Sequence, residues 1–119
     1  MLGAMETIKA EDLRRILAGG RATVINVLES EDFQDKRIPS SINVPVSSPD
    51  FARRVEDQMP SKQNAVVVYC AGARCPASEN AARALESAGF RRVMDFAGGL
   101  EDWEAQGLPL EGRHVGSRG

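Results

Sequence analysis

The residues most able to do chemistry stand together in one segment, Tyr69-Cys70-Ala71-Gly72-Ala73-Arg74-Cys75-Pro76-Ala77-Ser78. Cys70 closes the most apolar run of the chain, Ala65-Val66-Val67-Val68-Tyr69-Cys70, which reads as a buried central strand with the thiol at its end. The residues that follow are mostly small, which lets the backbone curl with its N–H groups pointing inward. Pro76 suits the first position of a helix, where its missing N–H costs nothing. A thiol in such a loop faces backbone dipoles and the positive end of a helix, so the expected Cys70 pKa lies below the roughly 8.5 of free cysteine.

Arg74 adds a permanent positive charge and can offer its forked donors to an oxyanion. Cys70 is therefore the candidate nucleophile, and Ala71, Gly72, Ala73, Arg74 and Cys75 form the candidate anion-binding loop. Cys75 has two readings: a thiol that resolves a persulfide or sulfenic form of Cys70 as a disulfide, or a helix-start residue without reactivity. Against the chemical reading of Cys70 stands that of a structural thiol, since free cysteine behaves as a small hydrophobe. The single histidine, His114, lies in a polar tail, so neither a Ser-His-Asp nor a Cys-His arrangement is expected. One histidine and two cysteines give no metal site at a familiar spacing.

The elements that must position this loop can be read from hydrophobic periodicity. Ala10, Leu13, Ile16 and Leu17 repeat at helical spacing until Gly19-Gly20, although Lys9 is a weak start signal. Thr23-Val24-Ile25-Asn26-Val27 is a strand, followed by a helical turn around Glu31 to Asp35 and a brief strand within Ile38 to Pro45. Phe51, Val55 and Met59 share one helix face, which Pro60 ends. Ala77, Ala81, Leu85 and Ala88 form a further helical stripe, stopped by Gly89. Arg92 to Phe96 is a strand, Gly98-Gly99 a turn, and Leu100 with Trp103 the inward face of a last short helix. Strands alternating with helices imply a single-domain, doubly wound parallel α/β sheet, in which ligands bind beyond the carboxyl ends of the strands. The expected domain covers residues 6–110, with 111–119 as a flexible tail.

With 42% apolar and 27% charged residues the chain has the composition of a globular protein. A net charge of −2 with scattered basic residues offers no footprint for nucleic acid or an anionic membrane. No apolar run approaches the roughly 20 residues that span a bilayer, and no basic-then-apolar leader is present, so a cytoplasmic location is expected. Nothing in the sequence speaks to oligomeric state.

The strand Val66 to Cys70, the cysteine loop, Ser87-Ala88-Gly89-Phe90 and Gly98-Gly99-Leu100…Trp103…Gly107-Leu108-Pro109 together resemble the rhodanese-like family. The N-terminal half is similar too: Val24 to Val27, Glu31-Asp32-Phe33, and Arg37-Ile38-Pro39-Ser40-Ser41-Ile42-Asn43-Val44-Pro45, which matches that family's Ile-Pro-Gly-Ala-Ile-Asn segment. The resemblance implies a five-stranded parallel sheet flanked by helices. It also implies a sulfurtransferase in which Cys70 accepts sulfane sulfur from thiosulfate, polysulfide or a low-molecular-weight persulfide. The persulfide then passes sulfur to cyanide, a thiol or a protein cysteine, and no metal or organic cofactor is implied.

Departures from the family pattern fall around the site. The position usually held by arginine carries Cys75, with Arg74 one place earlier, and the segment from Cys70 to Gly89 is longer than usual. Asn26 stands in place of aspartate, Leu28 in place of a frequent arginine, and Arg37 in place of histidine. Arg37 is an accessory candidate for binding an anionic donor, with a surface ion pair as its alternative. Two rival functions remain: a catalytically inactive module for binding or redox sensing, and a relative of the Cys-dependent phosphatases or arsenate reductases. The latter place more residues between Cys and Arg than the Ala71-Gly72-Ala73 found here.

Overall fold

The computed structural model describes residues 5–115. In chain order it contains β1 (Glu6–Thr7), α1 (Ala10–Gly19), β2 (Ala22–Asn26), α2 (Ser30–Asp35), β3 (Ile42–Asn43), α3 (Phe51–Asp57), β4 (Ala65–Tyr69), α4 (Ala77–Ser87), β5 (Arg92–Phe96) and α5 (Gly99–Ala105). All strand pairs are parallel and the sheet order is β1-β5-β4-β2-β3, the five-stranded α/β architecture expected.

β4 is central because it can be dry on both faces. All five of its residues are buried, and successive side chains point to opposite sides. Val66 and Val68 pack with Phe51 and Val55 of α3 and Ala81, Ala82 and Leu85 of α4. Val67 and Tyr69 pack with Leu13 of α1, Phe96 of β5, and Leu100 and Trp103 of α5. Each of these buried valines contributes about 1.5–3 kcal/mol relative to exposure. Trp103 meets the Phe96 ring edge-on, with centroids 6.1 Å apart, and its Nε1–H donates to the Pro109 carbonyl at 2.8 Å. It is a packing residue, as its position in the apolar pattern suggested.

Three features escaped the periodicity. β1 is only two residues long and fully exposed, and exists through its pairing with Met94 and Asp95 of β5. α1 gains a start signal that Lys9 does not provide: Asp12 reaches back so that its Oδ2 accepts the Lys9 N–H at 3.0 Å. Ser40 takes a left-handed conformation, φ 72°, where the related segment carries glycine.

The start of the expected flexible tail makes specific contacts. Glu111 and Arg37 exchange both backbone hydrogen bonds, at 2.8 and 2.9 Å, and Arg113 donates to Asp35 Oδ1 at 2.7 Å. The last part of that expectation, residues 116–119, lies outside the described residues. Among the described residues no helix is long and apolar enough to cross a membrane.

Candidate active site

Cys70 directly follows β4 rather than ending it, and the alternation of the strand carries its side chain to the face covered by α3 and α4. The loop beyond it is clamped from the other side of the sheet. Leu100 N–H donates to the Cys70 carbonyl at 3.0 Å and Glu101 N–H to the Ala71 carbonyl at 2.9 Å, both from the first turn of α5. This approach requires Gly99, which has φ 60° and where a Cβ would strike the Cys70 carbonyl oxygen and come within 2.8 Å of the Gly72 nitrogen. Gly72 is buried for a similar reason, with the Glu101 carboxylate occupying the space a side chain would need.

The amides do not point where the sequence suggested. Cys75 N–H donates to the Gly72 carbonyl at 3.0 Å and closes a turn. The Ala71 and Ala77 amides face the Cys75 sulfur, while the amide facing Cys70 is that of Ser78 in the first turn of α4. Pro76 precedes α4 instead of opening it, and its carbonyl accepts the Asn80 N–H at 3.0 Å.

The expected depression of the Cys70 pKa is therefore corrected. Burial pushes the Cys70 thiol above the ordinary thiol range, the neighbouring Cys75 thiol adds to this, and hydrogen bonds from Ser78 only partly oppose it. Cys70 has no solvent exposure, and its Sγ–H donates to the Cys75 carbonyl at 3.4 Å. Cys75 is half-buried. Burial pushes its thiol up, but hydrogen bonds from the Cys70 thiol and the amides of Ala77 and Ala71 outweigh this and hold it below the ordinary value. Of the pair, Cys75 is therefore the more readily ionised and Cys70 the less. Both are free, and each thiol shifts the titration of the other.

Two residues near the thiols were not singled out from the sequence. Ser78 is buried, and its hydroxyl faces both Cys70 and the carboxyl of Asp95 on β5. Asp95 is 4% exposed, pairs in register with Val68, and leaves Oδ1 without a hydrogen-bond partner. Burial pushes its carboxyl pKa up, opposed by the Ser78 hydrogen bond and reinforced by Glu79. One signal was available: an acid at an inward position of a strand whose other face must be apolar.

The remaining candidates separate. Arg74 and Ala73 are exposed at the tip of the loop. Arg37 is engaged elsewhere, its Nε 3.6 Å from Glu111 Oε1, its Nη1 donating to the Phe33 carbonyl at 3.2 Å, and its guanidinium 5.0 Å from the Phe33 ring centre. Beside the loop lies a groove of about 390 Å³ where Leu28, Ala71 and Leu100 meet Asp32, Asp35, Lys36, Glu101 and Glu104. Lys36 is tied to Glu104 at 2.9 Å, so the groove is net acidic. Asn26 Oδ1 accepts the Leu28 N–H at 2.9 Å, which fixes the chain entering this groove from β2.

Comparison with known proteins follows the same outline. Residues 9–106 match the family model described as Rhodanese-like domain. The chain is 36% identical over 109 residues to the HTH-type transcriptional regulator Rv0324 of Mycobacterium tuberculosis, covering 91% of this chain but only 46% of the regulator. It is 29% identical over 114 residues to the human thiosulfate:glutathione sulfurtransferase, covering 87% of this chain and 96% of that protein. A crystal structure of a thiosulfate sulfurtransferase from Pseudomonas aeruginosa superposes with a TM-score of 0.80 at 25% identity, over 91% of this chain and 20% of that one.

Proposed function

This chain belongs to the rhodanese-like domain family, and from that premise we propose that it is a sulfurtransferase carrying sulfane sulfur as a persulfide on Cys70. The observation that carries the reading is the position of Cys70. It lies at the carboxyl end of the central strand, with the Ser78 hydroxyl and amide turned toward its sulfur. A donor delivers a sulfane sulfur to the Cys70 sulfur, and a thiolate or cyanide then removes it. In this reading the loop Ala71 to Cys75, with the exposed Arg74 at its tip, receives the donor anion. Two free thiols suit a reducing compartment, which supports a cytoplasmic setting.

The raised thiol pKa of Cys70 supports a rate that climbs into the alkaline range rather than levelling off near neutrality. The decisive experiment is mass mapping of added sulfur on Cys70 after exposure to thiosulfate, polysulfide or glutathione persulfide. Sulfur on Cys70 supports the reading, and a chain that stays unmodified with every donor sinks it.

The identity with a transcriptional regulator, of which this chain matches less than half, favours a second reading as a redox-sensing or partner-binding module. In its partner-binding form Cys70→Ser retains every cellular role, and loss of function in that variant excludes a purely passive module.

A further inference from the structure

We infer that Cys70 and Cys75 act as a pair in which Cys75 attacks the Cys70 persulfide, closes a Cys70–Cys75 disulfide and expels hydrosulfide. The inference rests on the sulfur-carrying role proposed above for Cys70 and gives the bound sulfur a second exit, as sulfide rather than by transfer.

The geometry brings the partners together before any reaction. The two thiols are free and near enough to shift each other's titration, and the Cys75 carbonyl accepts the Cys70 S–H at 3.4 Å. The backbone of Cys75 is therefore already folded over the Cys70 sulfur, held by the turn from Cys75 N–H to the Gly72 carbonyl at 3.0 Å. The disulfide would close within a loop whose ends are five residues apart, outside the hydrogen-bonded part of β4. The division of labour is also set. Cys70 is wholly buried, whereas Cys75 is half-buried, faces the Ala71 and Ala77 amides and is the more readily ionised of the two. A resolving residue has to be a thiolate next to the sulfur it attacks.

The step balances without an outside oxidant. The Cys75 thiolate forms a bond to the Cys70 Sγ, and the bond between Sγ and the outer sulfur breaks. The outer sulfur leaves with its proton as HS⁻. The sulfane sulfur is reduced from oxidation state zero to −2, and the two cysteine sulfurs are each oxidised by one electron. The oxidising equivalents enter with the sulfane donor, and a further turnover requires a dithiol reductant to reopen the disulfide.

The test uses the full chain, reduced and freed of thiols, then exposed to glutathione persulfide or polysulfide and desalted. Intact mass and free sulfide are followed together. The expected result for the unaltered chain is release of sulfide and conversion to a species two mass units lighter than the reduced protein. Cys75→Ser is expected to keep the added sulfur on Cys70 and to release sulfide at least about tenfold more slowly. Cys75→Ala repeats the measurement with a residue that keeps the loop apolar. A stable persulfide on Cys70 of the unaltered chain, with Cys75 still open to alkylation, overturns the pairing and leaves the sulfurtransferase reading standing. Sulfide release at equal rates from the unaltered chain and both variants also overturns it. Absence of sulfur uptake in the chain and both variants removes the sulfurtransferase reading and the pairing together.

Discussion

The adjacent residues Tyr69 and Cys70 point to opposite faces of the sheet, and their polar groups are used in opposite ways. Tyr69 points toward α1 and α5, and its hydroxyl is fully used: it accepts the Ile38 N–H at 3.0 Å and lies 2.8 Å from Ser41 Oγ. Because Ser41 donates its own proton to the Ile38 carbonyl at 2.6 Å, the Tyr69 O–H donates to Ser41. Cys70 points toward α3 and α4, where the polar groups are incompletely used. Asp95 has an oxygen without a partner, and two thiols share one contact. A satisfied buried network fixes structure, while groups left with spare capacity at a strand end retain chemistry.

The largest effect expected from breaking this contrast comes from Cys70→Ser. Sulfur transfer should fall to background, at least about a hundredfold, with the melting temperature nearly unchanged. A donor-consumption assay beside a thermal melt checks both. Tyr69→Phe should do the reverse. It leaves the Ile38 N–H unpaired in the core and costs about 1–3 kcal/mol of stability, while transfer per folded chain is retained. Denaturant titration measures the first and initial rates the second.

Alkylation distinguishes the two thiols. With iodoacetamide at pH 7, Cys75 should be modified about tenfold faster than Cys70, whose rate rises only at alkaline pH. Mapping the carbamidomethyl groups against time and pH reads this directly, and faster modification of Cys70 at neutrality would contradict the assignment of the more acidic thiol to Cys75.

A smaller effect concerns Asp95. Its folded pKa lies above that of the unfolded chain, so its stabilising contribution is fully present below the unfolded carboxyl value, about 3.9. That contribution is lost as pH rises through the raised folded value. Asp95→Asn should therefore gain melting temperature relative to the unaltered chain as pH rises above the unfolded carboxyl value, the difference levelling off once pH passes the raised folded value. The smallest effect is on the far face: Ser40→Gly should relieve the left-handed strain at φ 72° and add about 1 kcal/mol, seen as a shift of the denaturation midpoint.

Much of the frame was legible in the residues. The continuous apolar run of β4, the stripes of α1, α3 and α4, and the strand Arg92 to Phe96 follow from periods that water imposes on any chain. The same alternation located Cys70 at a strand end, next to a helix start. What was not legible has specific causes. β1 is too short and too exposed to carry a pattern, and Asp12 caps α1 from inside the helix, where it reads as an ordinary surface acid. Ser78 and Asp95 lie on different elements, and their common address at Cys70 arises from the register of β4 with β5 and the placement of α4 over them.

Local residue order thus determined which segments become strands and helices, and that the chain's most buried strand leads into a cysteine loop. Which amides face which sulfur was decided only by the tertiary structure. An amide's direction depends on the dihedral angles of a short loop of mostly small residues, which has little preference of its own. Those angles are set by α5, whose Gly99, Leu100 and Glu101 grip the loop from some thirty residues further along the chain.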